Sequence, residues 1–201
     1  MFFEIKQIKF NNIIKDCISV KIQDTEYELC DEYSHKRWSN EKTGFYGGGM
    51  LNSAEDKHKT ERIGLLGEYA FSKLFDIPVD FSYRKFGDDC DFLMGKYKID
   101  VKTESKLHWY NSGLIYGMNE YGKKIYLKSD IYVFSYIEFD NMTNKNAIIN
   151  IIGFELKRNI EKTDLVPGRK NGSKHFNYEV LYDKLYPISM LYDRWNNKKS
   201  K

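Results

Sequence analysis

Cysteine and histidine are both sparse, with three Cys and four His in 201 residues. Cys17, Cys30 and Cys90 form no Cys-x-x-Cys pair, and an odd count fits no disulfide framework. The histidines are scattered, with no His-Glu-x-x-His and no paired Cys/His spacing, so a structural zinc is not expected. Proline is equally scarce, at three residues, and no Pro-rich linker divides the chain. No apolar run approaches the roughly 18 residues of a membrane span. The opening MFFEIKQIKF places acids and lysines where a signal peptide would have its apolar segment. A soluble, cytoplasmic protein with no membrane partner is expected. Neither charge sign dominates: 32 basic against 29 acidic residues give a net charge of +3. The isoelectric point near 8.5 falls below the value of about 9 typical of dedicated nucleic-acid domains. Net charge averages over an acidic site and a basic face, so it excludes neither.

Apolar material is ample. Hydrophobic residues make up 41% and aromatic residues 16% of the chain, enough to build a core. The length suits one domain with an elaboration. Lys, Asn, Ile and Tyr are abundant, the composition of an AT-rich coding genome such as that of a bacterium, phage or plasmid. The organisation expected is an N-terminal extension of strand and loop over residues 1–56, a main domain over 57–195 and a basic tail over 196–201.

Within the extension, residues 1–30 alternate apolar and polar in pieces such as Ile18-Ser19-Val20-Lys21-Ile22, which predicts strands. Residues 31–56 are polar and end in a Gly-rich run at Gly44–Gly49. No Gly-Lys-Ser/Thr follows that run, so it reads as a loop rather than a phosphate cradle. Residues 57–76 predict a helix, with Ile63, Leu66, Ala70 and Leu74 on one face and Pro78 beyond its end. Short strand-like runs follow at 79–83, 91–94 and 98–103, then a polar, aromatic-rich stretch at 104–127. Stronger strands are predicted at 131–137 and 147–152, separated by the turn residues of 140–144.

The chemistry concentrates in DDCDFLMGKYKIDVKT, residues 88–103. Residues i and i+2 of a strand share a face, so Asp100 and Lys102 point one way while Ile99, Val101 and Thr103 point the other. A two-residue turn at Gly95-Lys96, with Gly first as type II′ requires, pairs Phe92 with Ile99 and sets Asp91 opposite Asp100. Carboxylates so placed lie about 4.5–5.5 Å apart at Cβ and repel. A hard divalent cation, Mg²⁺ or Mn²⁺, reverses that repulsion. Lys102 beside it would favour a phosphate or a developing negative charge. On the helix, Glu68 falls at the edge of the apolar stripe, and Gly64 and Gly67 on that side suggest close approach to a sheet.

These residues resemble the PD-(D/E)XK nuclease superfamily, the restriction-endonuclease-like fold. The likeness runs through Arg62-x-Gly64-x-x-Gly67-Glu68-x-Ala70, then Gly87-Asp88-Asp89-Cys90-Asp91-Phe92, then Ile99-Asp100-Val101-Lys102-Thr103. It covers about residues 57–103, with a weaker echo at Ser129–Phe134 and Ile151–Phe154. The resemblance implies an α/β fold with a central mixed β-sheet flanked by helices. It also implies a metal-dependent nuclease, a DNA endonuclease first, with RNA not excluded as substrate. Asp91 and Asp100 would be the metal-binding acids, Glu68 and the Val101 carbonyl would complete the site, and Lys102 would be the catalytic lysine. Cys90 stands where the family name has proline. Asp88 and Asp89 compete with Asp91 for the first-acid position, and the cross-strand register favours Asp91. One such site cleaves one strand, which makes a homodimer compatible with double-strand cutting, although no interface is visible in the residues.

Other readings compete. Asp130 and Glu155 could meet across the later hairpin and form an alternative acid pair. The fold could serve as a non-catalytic nucleic-acid-binding module, although facing carboxylates are then unneeded. It could also be a phage or plasmid interaction protein. The stretches His108-Trp109-Tyr110 and Tyr121-Gly122-Lys123-Lys124 could stack bases and contact phosphates, but half-buried loop or strand residues account for them more simply.

Overall fold

A computed structural model describes residues 3–10, 13–41, 54–81, 89–105, 111–168 and 174–199. The Gly44–Gly49 run, Asp88 and His108–Tyr110 lie outside the described residues. In chain order the elements are β1 (Phe3–Phe10), β2 (Ile13–Gln23), α1 (Asp24–Glu41), α2 (Ala54–Phe75), β3 (Phe92–Met94), β4 (Tyr97–Glu104), β5 (Ser112–Met118), β6 (Ile131–Asn141), β7 (Asn146–Leu156), α3 (Lys157–Ile160), β8 (Leu165–Pro167), β9 (Phe176–Leu181) and α4 (Ile188–Lys199).

Six strands form a central sheet in the order β1-β2-β7-β6-β4-β3. It is mixed: β4 and β6 run parallel while its other neighbouring pairs are antiparallel. Strand periodicity divides its side chains between two cores. Val20, Ile22, Ile99, Val101, Ile131, Val133, Ile149 and Ile151 pack with residues of α1, α2 and α4. Tyr132, Phe134, Tyr136 and Ile152 face the other way, against Ile115, Tyr178 and Val180 of a small sheet ordered β5-β9-β8. The molecule is thus α/β, with α1, α2 and α4 on one face of a mixed sheet and the second sheet, with the short α3, on the other.

The sequence-based expectations hold for the α2 helix, the β3–β4 hairpin and the long β6–β7 hairpin. They fail in three places. Residues 24–30, expected to continue the N-terminal strands, and 31–41, read as loop, together form α1. Among its described side chains the buried positions are Tyr27, Cys30 and Ser34, spaced three and four apart but only weakly apolar, so they make no conventional apolar stripe. Packing on α2 and the Gln23 N–H bonded to Glu26 at 3.3 Å, half of a capping box, supply what propensity does not. Residues 79–81 are not a strand. The stretch 104–127, assigned no element, contains β5.

The N-terminal strands join the main sheet. Ile18 opposes Ile151 and Val20 opposes Ile149 across β2–β7, so these residues fill the same core as α2.

Two close fits position the site. Gly95 turns the β3–β4 hairpin at φ +62°, and Lys96 has an ordinary negative φ, as the two-residue type II′ turn requires. Along α2 the two glycines differ. A Cβ on Gly67 would lie 1.7 Å from Thr103 Oγ1 of β4, whereas one on Gly64 would meet nothing within 4 Å. Close approach explains Gly67 and does not explain Gly64.

Candidate metal-binding active site

The hairpin register pairs Phe92 with Ile99, Leu93 with Lys98 and Met94 with Tyr97. One residue beyond the ladder, the Asp91 N–H donates to the Ile99 carbonyl at 2.9 Å, so Asp91 and Phe92 both oppose Ile99 as in a β-bulge, and the expected direct pairing of Asp91 with Asp100 is not made. The Asp91 side chain then reaches along the strand, and its Oδ2 accepts the Val101 N–H at 2.6 Å. In an extended strand the N–H and C=O of one residue point to the same side. The Val101 carbonyl therefore faces the same edge, past the end of β3.

Lys102 and Asp100 share a face, and Lys102 Nζ lies 2.7 Å from Asp100 Oδ1. That oxygen is buried and makes no hydrogen bond of good geometry. Glu68 is brought to the seam by the Gly67–Thr103 contact, and its side chain is largely buried. Arg37 of α1 stands beside it, with Nη1 at 3.4 Å from Glu68 Oε1 and Nη2 donating to the Asp80 carbonyl at 3.2 Å. Glu68, Asp91 and Asp100 lie within electrostatic reach of one another, with Lys102 beside Asp100 and the Val101 N–H on Asp91, but among the described residues the three carboxylates do not gather their oxygens within 4.8 Å as a ligand set. Arg37, which sequence reading missed, belongs to the same group.

The electrostatics show a crowded set of acids. Burial raises the Asp91 carboxyl well above its ordinary value, and the charges of Glu68 and Asp100 push it further. Glu68 is raised by burial too, with Asp100 adding to the rise while Arg37 opposes it. Burial works to lower Lys102, but the Asp100 charge and contact, helped by Asp91, outweigh it and hold the ammonium above its usual value. A metal-bound site would favour a lower Lys102 pKa; its carboxylate neighbours alone do the reverse.

The competing acids have other employment. Asp89 is exposed and paired with Lys98 at 3.4 Å and Lys128 at 3.2 Å, which holds its carboxyl below the usual range. Asp130 Oδ2 accepts the Lys98 N–H at 2.9 Å and ties β4 to β6. Glu155 is buried and accepts from Leu156 N and Asn159 Nδ2, both at 2.8 Å, at the start of α3. Asp130 and Glu155 are thus turned towards different elements. In the aromatic stretch, Tyr121 and Tyr126 are 86% and 78% exposed, more than half-buried residues would be.

A second cluster escaped the sequence reading. Asp31 and His35 of α1 meet His58 of α2, and one possible ligand atom from each falls within 4.8 Å of the others. The only hint was Asp-x-x-x-His at 31–35, one helical turn apart on a segment not recognised as helix. Burial lowers the His58 pKa, with His35 and Arg62 adding to the effect and Asp31 opposing it.

No family model, no curated protein and no solved structure matches this chain.

Proposed function

We propose that the protein is a metal-dependent phosphodiester hydrolase, a nuclease with DNA as its first substrate, built on a restriction-endonuclease-like arrangement of α2, β3, β4 and β6. One observation carries this reading: the Glu68 and Asp91 carboxyls are both raised by burial, and the charge of Asp100 adds to the rise in each, beside a single lysine. A stable fold has no need of such repulsion, whereas a divalent cation relieves it. The donors fit a hard ion, since all are oxygens, and Asp100 Oδ1 is buried with the Lys102 ammonium at 2.7 Å beside it. A Mg²⁺ or Mn²⁺ ion held by Asp91, Asp100, Glu68 and the Val101 carbonyl would polarise the phosphate and acidify a water.

The chain's own groups do the rest. The Val101 N–H fixes the Asp91 carboxylate in place. Lys102, kept charged by Asp100, enters as a donor: it orients the nucleophilic water or a phosphate oxygen and balances the charge that builds on phosphorus. Arg37 neutralises Glu68 and holds it at the helix–sheet seam.

Purified protein incubated with supercoiled plasmid tests this in Mg²⁺, in Mn²⁺ and in EDTA, alongside Asp100→Asn and Lys102→Ala. Nicked or linear product is expected with either ion and none in EDTA. Each substitution should reduce the rate by about 10²–10⁴-fold with far-ultraviolet circular dichroism unchanged. Cleavage that survives EDTA or both substitutions would overturn the assignment.

A second reading, a non-catalytic nucleic-acid-binding module, draws on the ion pairs Lys102–Asp100 and Arg37–Glu68, which engage two of the three acids. It expects salt-dependent DNA binding without cleavage and without any effect of Mn²⁺.

A further inference from the structure

The crossing of α1 and α2 carries a cluster that the nuclease reading does not use. Asp31 and His35 lie one turn apart on α1 and so project from the same helix face. His58 approaches them from α2. Its Nε2 lies 3.4 Å from Asp31 Oδ1, and its ring stacks on His35 with centroids 3.5 Å apart. His58 is only 9% exposed, and its Nε2 is buried with no hydrogen-bond partner. A buried, unpartnered ring nitrogen aimed at a carboxylate and a second imidazole is an unusual thing for a core to keep.

We infer that Asp31, His35 and His58 form a binding site for a first-row transition dication, Zn²⁺ being the best fit, separate from the carboxylate site. The geometry supports it. A tetrahedral ion with bonds of about 2.0–2.2 Å places neighbouring donors about 3.4 Å apart, the separation already present between His58 Nε2 and Asp31 Oδ1. His35 is exposed, so its side chain can complete the set by a rotamer change. Three protein ligands leave a fourth position for water.

Charge balance is also favourable. Arg62 Nη1 lies 3.3 Å from Asp31 Oδ1 and Nη2 lies 3.0 Å from Asp140 Oδ2. Two carboxylates thus face one guanidinium and leave a net negative charge for a cation. The two imidazoles select the metal: nitrogen donors suit Zn²⁺ and its neighbours, while Mg²⁺ demands oxygen. The bound ion pins α1 to α2, and Arg37, two residues beyond His35, is the residue that α1 delivers to Glu68.

The test uses the full-length, untagged chain stripped with a chelator and titrated with Co²⁺ in excess Mg²⁺, which keeps the carboxylate site occupied. One equivalent should give a visible d–d absorption that Zn²⁺ abolishes, and Zn²⁺ should raise Tm. Asp100→Asn should leave both effects intact. His35→Gln, at an exposed position that burial does not constrain, should weaken binding by more than the roughly 10–100-fold that loss of an outer-shell partner costs. His58→Gln should do the same. The inference is overturned by absence of the Co²⁺ signal, by its persistence in His35→Gln, or by its loss in Asp100→Asn, which would assign the ion to the carboxylates. None of these outcomes depends on whether the protein cleaves DNA.

Discussion

Asp91 costs the fold stability. Its carboxyl is raised above the ordinary 3.8 by burial and by Glu68 and Asp100. Between 3.8 and that raised value the folded chain binds more protons than the unfolded chain, so stability falls as pH rises above 3.8 through the window. Asp91→Asn removes the charge and keeps an oxygen for the Val101 N–H. In EDTA at pH 7 the variant should be more stable than the parent, by about 0.5–2 kcal/mol as for other relieved functional sites. The gain should disappear below pH 3.8, where both forms are neutral. Urea titrations at the two pH values decide it; a less stable variant at pH 7 would mean that the charged Asp91–Val101 bond outweighs the repulsion. Asp100 and Lys102 were readable in the sequence because a two-residue turn and the strand period of two fix their face, whereas Asp91 lies one residue beyond the last paired position, Phe92, and departs from that register. Arg37 was not readable, because its partner Glu68 lies 31 positions away and nothing local announces the pairing.

At the scale of the element, α2 was legible and α1 was not, for the same physical reason. The α2 face is built of Ile63, Leu66, Ala70 and Leu74, which a periodicity count sees. The α1 face is built of Tyr27, Cys30 and Ser34, which it does not. The short strands β8 and β9 were equally hidden, since three and six residues give alternation little length to register. The α2 glycines give a paired test of how this helix seats on the sheet. Gly64→Ala should stabilise by up to about 1 kcal/mol, the ordinary helical gain, because no atom lies within 4 Å of the added methyl. Gly67→Ala carries the same gain but drives its Cβ to 1.7 Å from Thr103 Oγ1, which is bonded to Ser135 Oγ at 3.0 Å. Overpacking of this kind costs about 1–3 kcal/mol, so the net effect should be destabilising, with Glu68 displaced and cleavage lost. Thermal melts of the two variants should move in opposite directions. If Gly67→Ala were as stable as Gly64→Ala, the helix–sheet seam would be looser than this contact indicates.

At the scale of the molecule, the strand order was the least legible feature, because it depends on pairings between distant segments. Nothing near Ile18 reveals that it lies against Ile151. The N-terminal segment could therefore be recognised as strand-forming without its place being visible. That place decides how the protein can be divided. Val20, Ile22, Tyr27 and Cys30 are each no more than 2% exposed and share one core with Leu66, Phe71 and Val133. A fragment beginning at residue 57 would lose those side chains and α1, and with α1 the Arg37 that steadies Glu68. It would also leave β7 as a bare sheet edge carrying Ile149 and Ile151, an invitation to aggregate. Such a fragment should show no cooperative urea transition and no metal-dependent cleavage, even though it contains Glu68, Asp91, Asp100 and Lys102. A sharp transition with cleavage retained would show instead that the first 56 residues are an appendage, and that the core of α2, β3, β4, β6 and β7 closes without them.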